Sequence, residues 1–473
     1  MRKQQVRIES SKTRNYSNFS TSTFDTSFKD TTILEQDNFE QAVKELEKEL
    51  TRTLDELAPL QDRRRKKIPS RPWYNSTLKE QKRIVRTRER IYIRDRQPHQ
   101  WQAFTRERNR YTRMLEFHKR NYLVTKVEEA TTDSRQLFQL VGSLLGRKEE
   151  NPLPEATSDS ILAEDFASFF HEKIDNIRSR FNNIAPYKPE VKSDVPLLSK
   201  FTPISAIQLE KTITRMSSKT CALDIIPTTR LKEVLGTILP SITHIVNKSL
   251  TQGQFYTDWK EALVKPLVKS RILGTTMTNY RPVSNLQFIS KIVEKVTLDQ
   301  FTQHCNRNSL LPSYQSAYRQ YHSCETSLVK LVNDILWAME KQLVTVVVIL
   351  DLSAAFDTVD HNLLLEVLEN RFGIAGTARK WYTSYLKPRS FKVSIRGSTS
   401  QPRQLDYSVP QGSIQGAFLF IAYASTLELV VQPSGLELNG FADDHSIRTT
   451  FKPSKLDHTE EFETIAKIET TML

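Results

Sequence analysis

The chain has 473 residues, with 68 Lys and Arg against 55 Asp and Glu, a formal net charge of +13. Its 38% hydrophobic and 9% aromatic content is enough for a core and excludes wholesale disorder. Three scattered cysteines, Cys221, Cys305 and Cys324, exclude a disulfide framework and a cysteine-based zinc site. The length allows two to four domains at roughly 100–200 residues each. The longest near-continuous apolar run, Leu343 to Leu350, falls far short of the ~20 residues a spanning helix needs. Met1-Arg-Lys-Gln-Gln-Val has no apolar signal stretch. The expectation is a protein without a membrane partner, intracellular, nuclear or cytoplasmic and not secreted.

Residues 1–36, rich in Ser, Thr and Asn, read as a loose tail. Phe39, Val43, Leu46, Leu50, Leu54 and Leu57 then follow helical spacing, which predicts an amphipathic helix ending near Pro59. Residues 61–120 hold 20 Lys and Arg against 6 Asp and Glu, a net of +14 that exceeds the total for the whole chain. The rest is close to neutral, so the basic charge is local, as in a nucleic-acid-binding surface. Trp73, Tyr74, Tyr92, Trp101, Phe104, Tyr111 and Phe117 are interleaved with it. Two readings stand: rings that stack on unpaired bases, or rings that form a helix–helix seam under a solvated charged face. The pattern is helical from about Ser76 to Leu145, broken near Pro98. A linker follows at Asn151-Pro-Leu-Pro154, then a helix over 160–181 and a proline-bearing linker over 182–200.

Ten of the twelve glycines lie beyond residue 235, and short apolar runs there alternate with helices. Val344 to Leu350 is β-branched and apolar on both faces, which predicts a buried central strand ending at Asp351. Leu363 to Leu368 begin a helix that stops near Gly373. Phe391, Val393 and Ile395 alternate with polar residues as a half-exposed strand turning at Gly397. Leu436 to Phe441 and Ser446 to Phe451 flank Ala442-Asp443-Asp444-His445 as strand, turn and strand.

An aspartate after a strand is commonly a helix cap, and Asp-Asp in a turn is ordinary turn chemistry. Their combination says more. Carboxylates gathered at strand ends repel one another unless a cation intervenes, and Mg²⁺ suits carboxylate and phosphate oxygens together. Two such ions ~3.5–4 Å apart can activate a 3′-hydroxyl and stabilise a leaving pyrophosphate. A basic arm beside such a site would imply template-directed nucleotidyl transfer.

Seven stretches occur in one order: Ser218-Lys-Thr-Cys-Ala-Leu-Asp224-Ile-Ile-Pro227; Asn279-Tyr-Arg281-Pro-Val-Ser-Asn-Leu286 with Ser290-Lys-Ile-Val-Glu-Lys295; Tyr314-Gln-Ser-Ala-Tyr-Arg319; Leu350-Asp-Leu-Ser-Ala-Ala-Phe-Asp-Thr-Val-Asp-His361; Trp381-Tyr-Thr-Ser-Tyr-Leu386; Val409-Pro-Gln-Gly-Ser413; and Phe441-Ala-Asp-Asp444. With them, residues 201–470 resemble the reverse transcriptase domain of a non-LTR (LINE-type, jockey-like) retrotransposon. Residues 70–182 are similar to the basic helical segment between the endonuclease and polymerase domains of such elements. The resemblance implies an α+β fold with right-hand polymerase fingers and palm, the palm a short antiparallel sheet backed by helices. It implies four regions: a partly disordered tail with one amphipathic helix over 1–69, a basic nucleic-acid-binding helical region over 70–182, a linker over 183–200, and fingers and palm over 201–473. Nothing resembles the upstream endonuclease, and the thumb would lie beyond Leu473, so the expectation is a fragment truncated at both ends.

By the same resemblance Asp351, Asp443 and Asp444 are catalytic and hold two Mg²⁺ ions, Mn²⁺ being an alternative. Arg281, Leu352, Phe356, Gln411 and Gly412 bind the nucleotide. Phe356 is the steric gate against a 2′-hydroxyl, and Arg281 grips the triphosphate, with Lys265 in a similar part. Asp357, Asp360 and His361 are structural. Implied partners are an RNA template, a DNA primer and deoxynucleoside triphosphates. Two departures stand out. Gln415 replaces an apolar residue, and an unpaired buried amide there would cost ~1–3 kcal/mol. Ala317 and Tyr321 replace two glycines. The function expected is an RNA-directed DNA polymerase. The alternative is a catalytically impaired nucleic-acid-binding remnant of a mobile element.

Overall fold

The computed structural model describes residues 8–66, 72–129, 137, 141–142, 152–181, 195–270, 273–352, 354–454 and 458–472. They divide into two compact units, Met1–Thr13 with Leu60–Asn151, and Arg14–Pro59 with Pro152–Leu473.

In the first unit the strands β1 (Ile8–Arg14) and β2 (Leu60–Lys66) pair. A helical hairpin follows, Ser76–Asp95 and Pro98–Glu129. Its turn obeys local rules. Arg96 closes the first helix in the left-handed region at φ 47°, and Pro98 opens the second, where its missing N–H costs nothing. Leu78 and Phe104 are buried between the helices, and Gln81 Nε2 donates to Glu107 Oε2 at 2.7 Å. Tyr92 stacks on Phe104 at 6.4 Å, and Tyr111 reaches Tyr74 through their hydroxyls at 3.4 Å. Several of the interleaved rings therefore form the seam, while Trp101 and Phe117 stay exposed. The residues between 130 and 151, apart from 137, 141 and 142, lie outside the described set, as does the linker over 182–194.

The second unit has a main core built mostly from helices and two small sheets. Asn38 accepts from Gln41 N to start the helix Phe39–Leu57, whose Phe39, Val43, Leu46, Leu50 and Leu54 are almost wholly buried. They join a core built from the helices Leu235–Gln252, Phe288–Arg307, His361–Phe372 and Gly376–Leu386. Trp381, at its centre, packs edge-on against Phe201 and donates to Ser249 Oγ at 3.0 Å.

The loose tail expected over 1–36 is not what residues 16–34 form. Helices Thr21–Ser27 and Thr31–Leu34 place Phe19, Phe24, Phe28 and Ile33 in this core. Each helix is too short to show a period, so only its large apolar residues carried the signal. The helix Asp159–Arg178 belongs with this unit too, rather than with the basic hairpin. Leu162, Phe166 and Phe170 cover Ala262, Val264, Tyr280, Phe391 and Val393 of the larger sheet.

That sheet has the order β4 (Tyr280–Asn285), β3 (Glu261–Val268), β6 (Arg389–Ile395), β7 (Ser398–Thr399), with β8 (Arg403–Leu405) also on β6. β3 and β6 are parallel and the other pairs antiparallel. The second sheet is antiparallel, in the order β5 (Val344–Leu350), β10 (Asp444–Phe451), β9 (Glu437–Phe441). Here the central-strand expectation for 344–350 fails. β5 is an edge, and Ile349 is 80% exposed. Val346, Val348 and Leu350 pack on a small cluster with Leu436, Ile447 and Ile468. One stretch the sequence reading passed over, Gly416–Ser434, is long and apolar enough to cross a membrane by composition. Phe418, Leu419, Phe420 and Ala422 in it are buried in the main core, as in a core helix.

Candidate functional site

The register of the smaller sheet brings the acidic residues together. Leu350 pairs with His445 and Phe441 with Asp444. One step beyond the β5 pairing, Asp351 follows Leu350 beside Asp444, and Asp443 shares the turn with Ala442. The three carboxylates are exposed and lie at neighbouring strand ends. As hard oxygen donors they suit Mg²⁺ in kind. No set of three or more His, Cys, Asp or Glu among the described residues is gathered closely enough to hold a metal ion as it stands. Next to the turn, His445 is buried and its Nδ1 lies 3.1 Å from Asp443 O. Burial holds its pKa below the usual value, which keeps the ring neutral.

Backbone bonds tie the remaining candidates to one another. Phe356 O accepts from Val409 N at 2.9 Å, and Ser408 N donates to Val359 O at 2.8 Å. Two residues on from Val409, Gln411 O accepts from Ser284 N at 2.8 Å, just after Arg281 on β4. Gly412 has φ 129°, and a Cβ there would lie 2.2 Å from Ser284 O. A glycine is required for the loop to run this close to β4. Leu352 is partly exposed beside Asp351. Phe356 is half-buried and stacks on Phe420 with ring centres 4.9 Å apart.

Arg281 is exposed and acts on Lys269. Burial, then the charges of Lys173 and Arg281, hold the Lys269 ammonium below its usual value, and Asp351 opposes them. Lys269, which sequence reasoning missed, therefore shares a neighbourhood with Asp351 and Arg281. Lys265, the residue expected there, is exposed in β3 within reach of Cys221. Lys173 and Arg178 come from the helix Asp159–Arg178, where no motif flagged them. Arg178 lies 3.5 Å over the Tyr407 ring and pairs with Asp360 Oδ2 at 3.0 Å.

Asp360 also caps the helix His361–Phe372 through Asn362 N and Leu363 N. His361 is buried with Nε2 2.7 Å from Ser408 O. The bonds of both are of the capping and packing kind. Gln415 is wholly buried but not orphaned. Its Nε2 donates to Thr297 Oγ1 at 2.6 Å and its Oε1 accepts from Tyr382 OH at 3.3 Å. Glu294, also buried, accepts from Ile414 N and Gln415 N at 2.7 and 3.3 Å, so a carboxylate sits at the start of the helix Gly416–Ala424.

Asp357 is the acid that burial perturbs most clearly here, pushed up to about 6 and drawn back by Lys173. Its proton is held more tightly folded than unfolded, so stability is fullest below about pH 4 and is lost as pH rises toward 6. Asp357→Asn is expected to exceed the parent in stability by about 3 kcal/mol at pH 7.5, the gap closing toward pH 4. Urea unfolding midpoints at the two pH values would measure it, and a constant gap would refute the assignment.

This sheet sets one aspartate at a strand end and two more at the facing turn. Residues 268–469 match the family "Reverse transcriptase (RNA-dependent DNA polymerase)". The chain is 28% identical over 291 residues to an RNA-directed DNA polymerase from mobile element jockey of Drosophila melanogaster, covering 59% of this chain and 32% of that protein. It is 27% identical over 276 residues to a probable RNA-directed DNA polymerase from transposon BS of the same organism, covering 56% and 30%. A third relative there, from transposon X-element, is 24% identical over 360 residues, covering 73% and 38%. Residues 268–469 thus match a reverse transcriptase domain, and the relatives that the chain resembles are RNA-directed DNA polymerases of mobile elements, jockey among them. It spans about a third of the length of these relatives.

Proposed function

We propose that the chain is an RNA-directed DNA polymerase that extends a DNA 3′-hydroxyl on an RNA template with deoxynucleoside triphosphates. The observation that carries this reading is the register that sets Asp351 one step from Asp444. Asp351 and Asp443 would hold two Mg²⁺ ions, with Asp444 in support. When bound, the ions would lower the pKa of the 3′-hydroxyl and neutralise the departing pyrophosphate. Arg281 and Lys269 would receive the triphosphate, the former through its planar pair of donors. Gln411 and Gly412 would lie along the nucleotide, and Phe356 would exclude a 2′-hydroxyl. In this reading the β3–β4 and β6 sheet belongs to the fingers and the β5–β10–β9 sheet to the palm.

The basic hairpin supports a nucleic-acid partner. All fourteen Lys and Arg side chains between Lys79 and Arg120 are exposed, and such a surface neutralises phosphates. Mg²⁺-dependent primer extension on an RNA template tests the proposal. The intact chain is expected to extend the primer, and Asp443→Ala to lose about 10³-fold or more in rate. A chain that binds RNA yet extends no better than Asp443→Ala would be a nucleic-acid-binding remnant.

A further inference from the structure

The turn that bears Asp443 and Asp444 lies at the end of a two-strand hairpin, which holds it through the Phe441–Asp444 pairing and the His445 ring beside Asp443 O. Ala442, its first residue, has φ 59°, a conformation that side-chain-bearing residues rarely adopt. The side chain of Gln315, only 1% exposed, grips this residue from outside the hairpin. Its Oε1 accepts from Ala442 N at 2.9 Å, and its Nε2 donates to Ala442 O at 3.2 Å. The same Oε1 accepts from Ala317 N at 3.0 Å. An amide can do this because it carries a donor and an acceptor side by side on one planar group.

The backbone on either side completes the grip. Gly440 N donates to Tyr314 O at 3.0 Å, and Ser316 N donates to Gly440 O at 2.9 Å. A Cβ on Gly440 would come within 3.1 Å of Gln315 Nε2 and 3.0 Å of the His445 ring, so a side chain there would push both groups back by a few tenths of an ångström. The gripping segment is itself anchored. Arg319 Nη1 donates to Pro312 O and Gln315 O at 3.0 and 3.1 Å, and Tyr314 OH donates to Ala424 O at 2.9 Å. Ala424 ends the helix that begins three residues after Ser413.

We propose that Gln315 is a positioning residue: its amide holds the Ala442 peptide groups and thereby sets where Asp443 and Asp444 stand relative to Asp351. This rests on the polymerase reading of those carboxylates, but the grip can be tested apart from it. In the intact chain, hydrogen exchange resolved to single amides is expected to show Ala442 N–H exchanging about tenfold more slowly than Asp443 N–H. Gln315→Met, which removes both polar atoms, is expected to abolish that protection, whereas Gln315→Glu, which keeps an acceptor for Ala442 N but removes the donor to Ala442 O, is expected to retain it and lose only the second half of the grip. They are also expected to weaken Mn²⁺ binding, read by electron paramagnetic resonance, by about tenfold. In primer extension they should lower kcat by about tenfold while KM for the nucleotide stays within roughly twofold.

Equal exchange at Ala442 and Asp443 in the intact chain overturns the proposal, and needs no variant to fold. So does a folded variant that keeps Mn²⁺ affinity and kcat within roughly twofold of the parent. An intact chain that protects Ala442 but neither binds Mn²⁺ nor extends a primer refutes the polymerase reading and leaves the grip standing.

Discussion

A chain that starts at Phe201 is expected to lose cooperative folding, although it retains every motif of the reverse transcriptase domain. The reason lies in the core. Phe24, Ile33, Phe39, Val43, Leu46, Leu50 and Leu54 are at most 1% exposed, and all seven sit in the main cluster of the second unit. At about 1.5–3 kcal/mol for each fully buried side chain, their burial contributes roughly 10–20 kcal/mol. That matches the whole net stability of a typical domain, about 5–15 kcal/mol. Removal would also strip Trp259 of its edge contact with Phe39 at 6.2 Å, and would uncover the larger sheet beneath Phe166 and Phe170. Near-ultraviolet circular dichroism and urea unfolding of residues 201–473 against the intact chain would show this. A sharp transition at the parent's midpoint would mean that the N-terminal helix only decorates the core.

Gly412→Ala is expected to cost the protein both stability and its proposed activity. A methyl group there meets Ser284 O at 2.2 Å, about 1 Å inside an ordinary contact, and the site's φ of 129° strains any side chain. Either the loop moves or the Ser284 N to Gln411 O bond of 2.8 Å breaks. A displacement of about 1 Å at a reacting centre can cost about 10²-fold, and that is the drop expected in primer extension. Gly397→Ala is the matched control. Its φ of 97° is also positive, but nothing lies within 4 Å of the added carbon. It is expected to lose about 1 kcal/mol of stability from backbone strain and to keep its activity. Equal losses in the two variants would show that backbone strain alone, rather than the close approach to β4, is what Gly412 relieves.

Much of the site was visible in the order of residues, and the parts that were not share a cause. Asp351 after an apolar run and Asp443-Asp444 in a turn could be recognised because strand and turn chemistry are local. Asp360 and His361 could be assigned to structure because a helix start is local too. Gln315 gave no such sign. It stands inside a quoted motif, but two of its three side-chain bonds go to Ala442, 127 positions away, and the third to Ala317. Lys269, just past the end of β3, gave no sign either, since its neighbours Asp351 and Arg281 are set by the fold and not by spacing. Gln415 read as a costly intrusion because its partners, Thr297 and Tyr382, come from two other helices.

Periodicity and turn residues were enough to mark the amphipathic helix at 39–57, the basic hairpin broken at Pro98 and the acidic strand–turn–strand, because each depends on neighbours a few residues apart. Long-range packing alone settled that β5 is an edge and that Phe19, Phe24 and Phe28 enter the core. It also settled that the helix at 159–178 covers the larger sheet. A stretch apolar on both faces, or a short helix with too few turns to show a period, is equally compatible with several partners. Which partner it meets is set by the free energy of burying the whole surface at once.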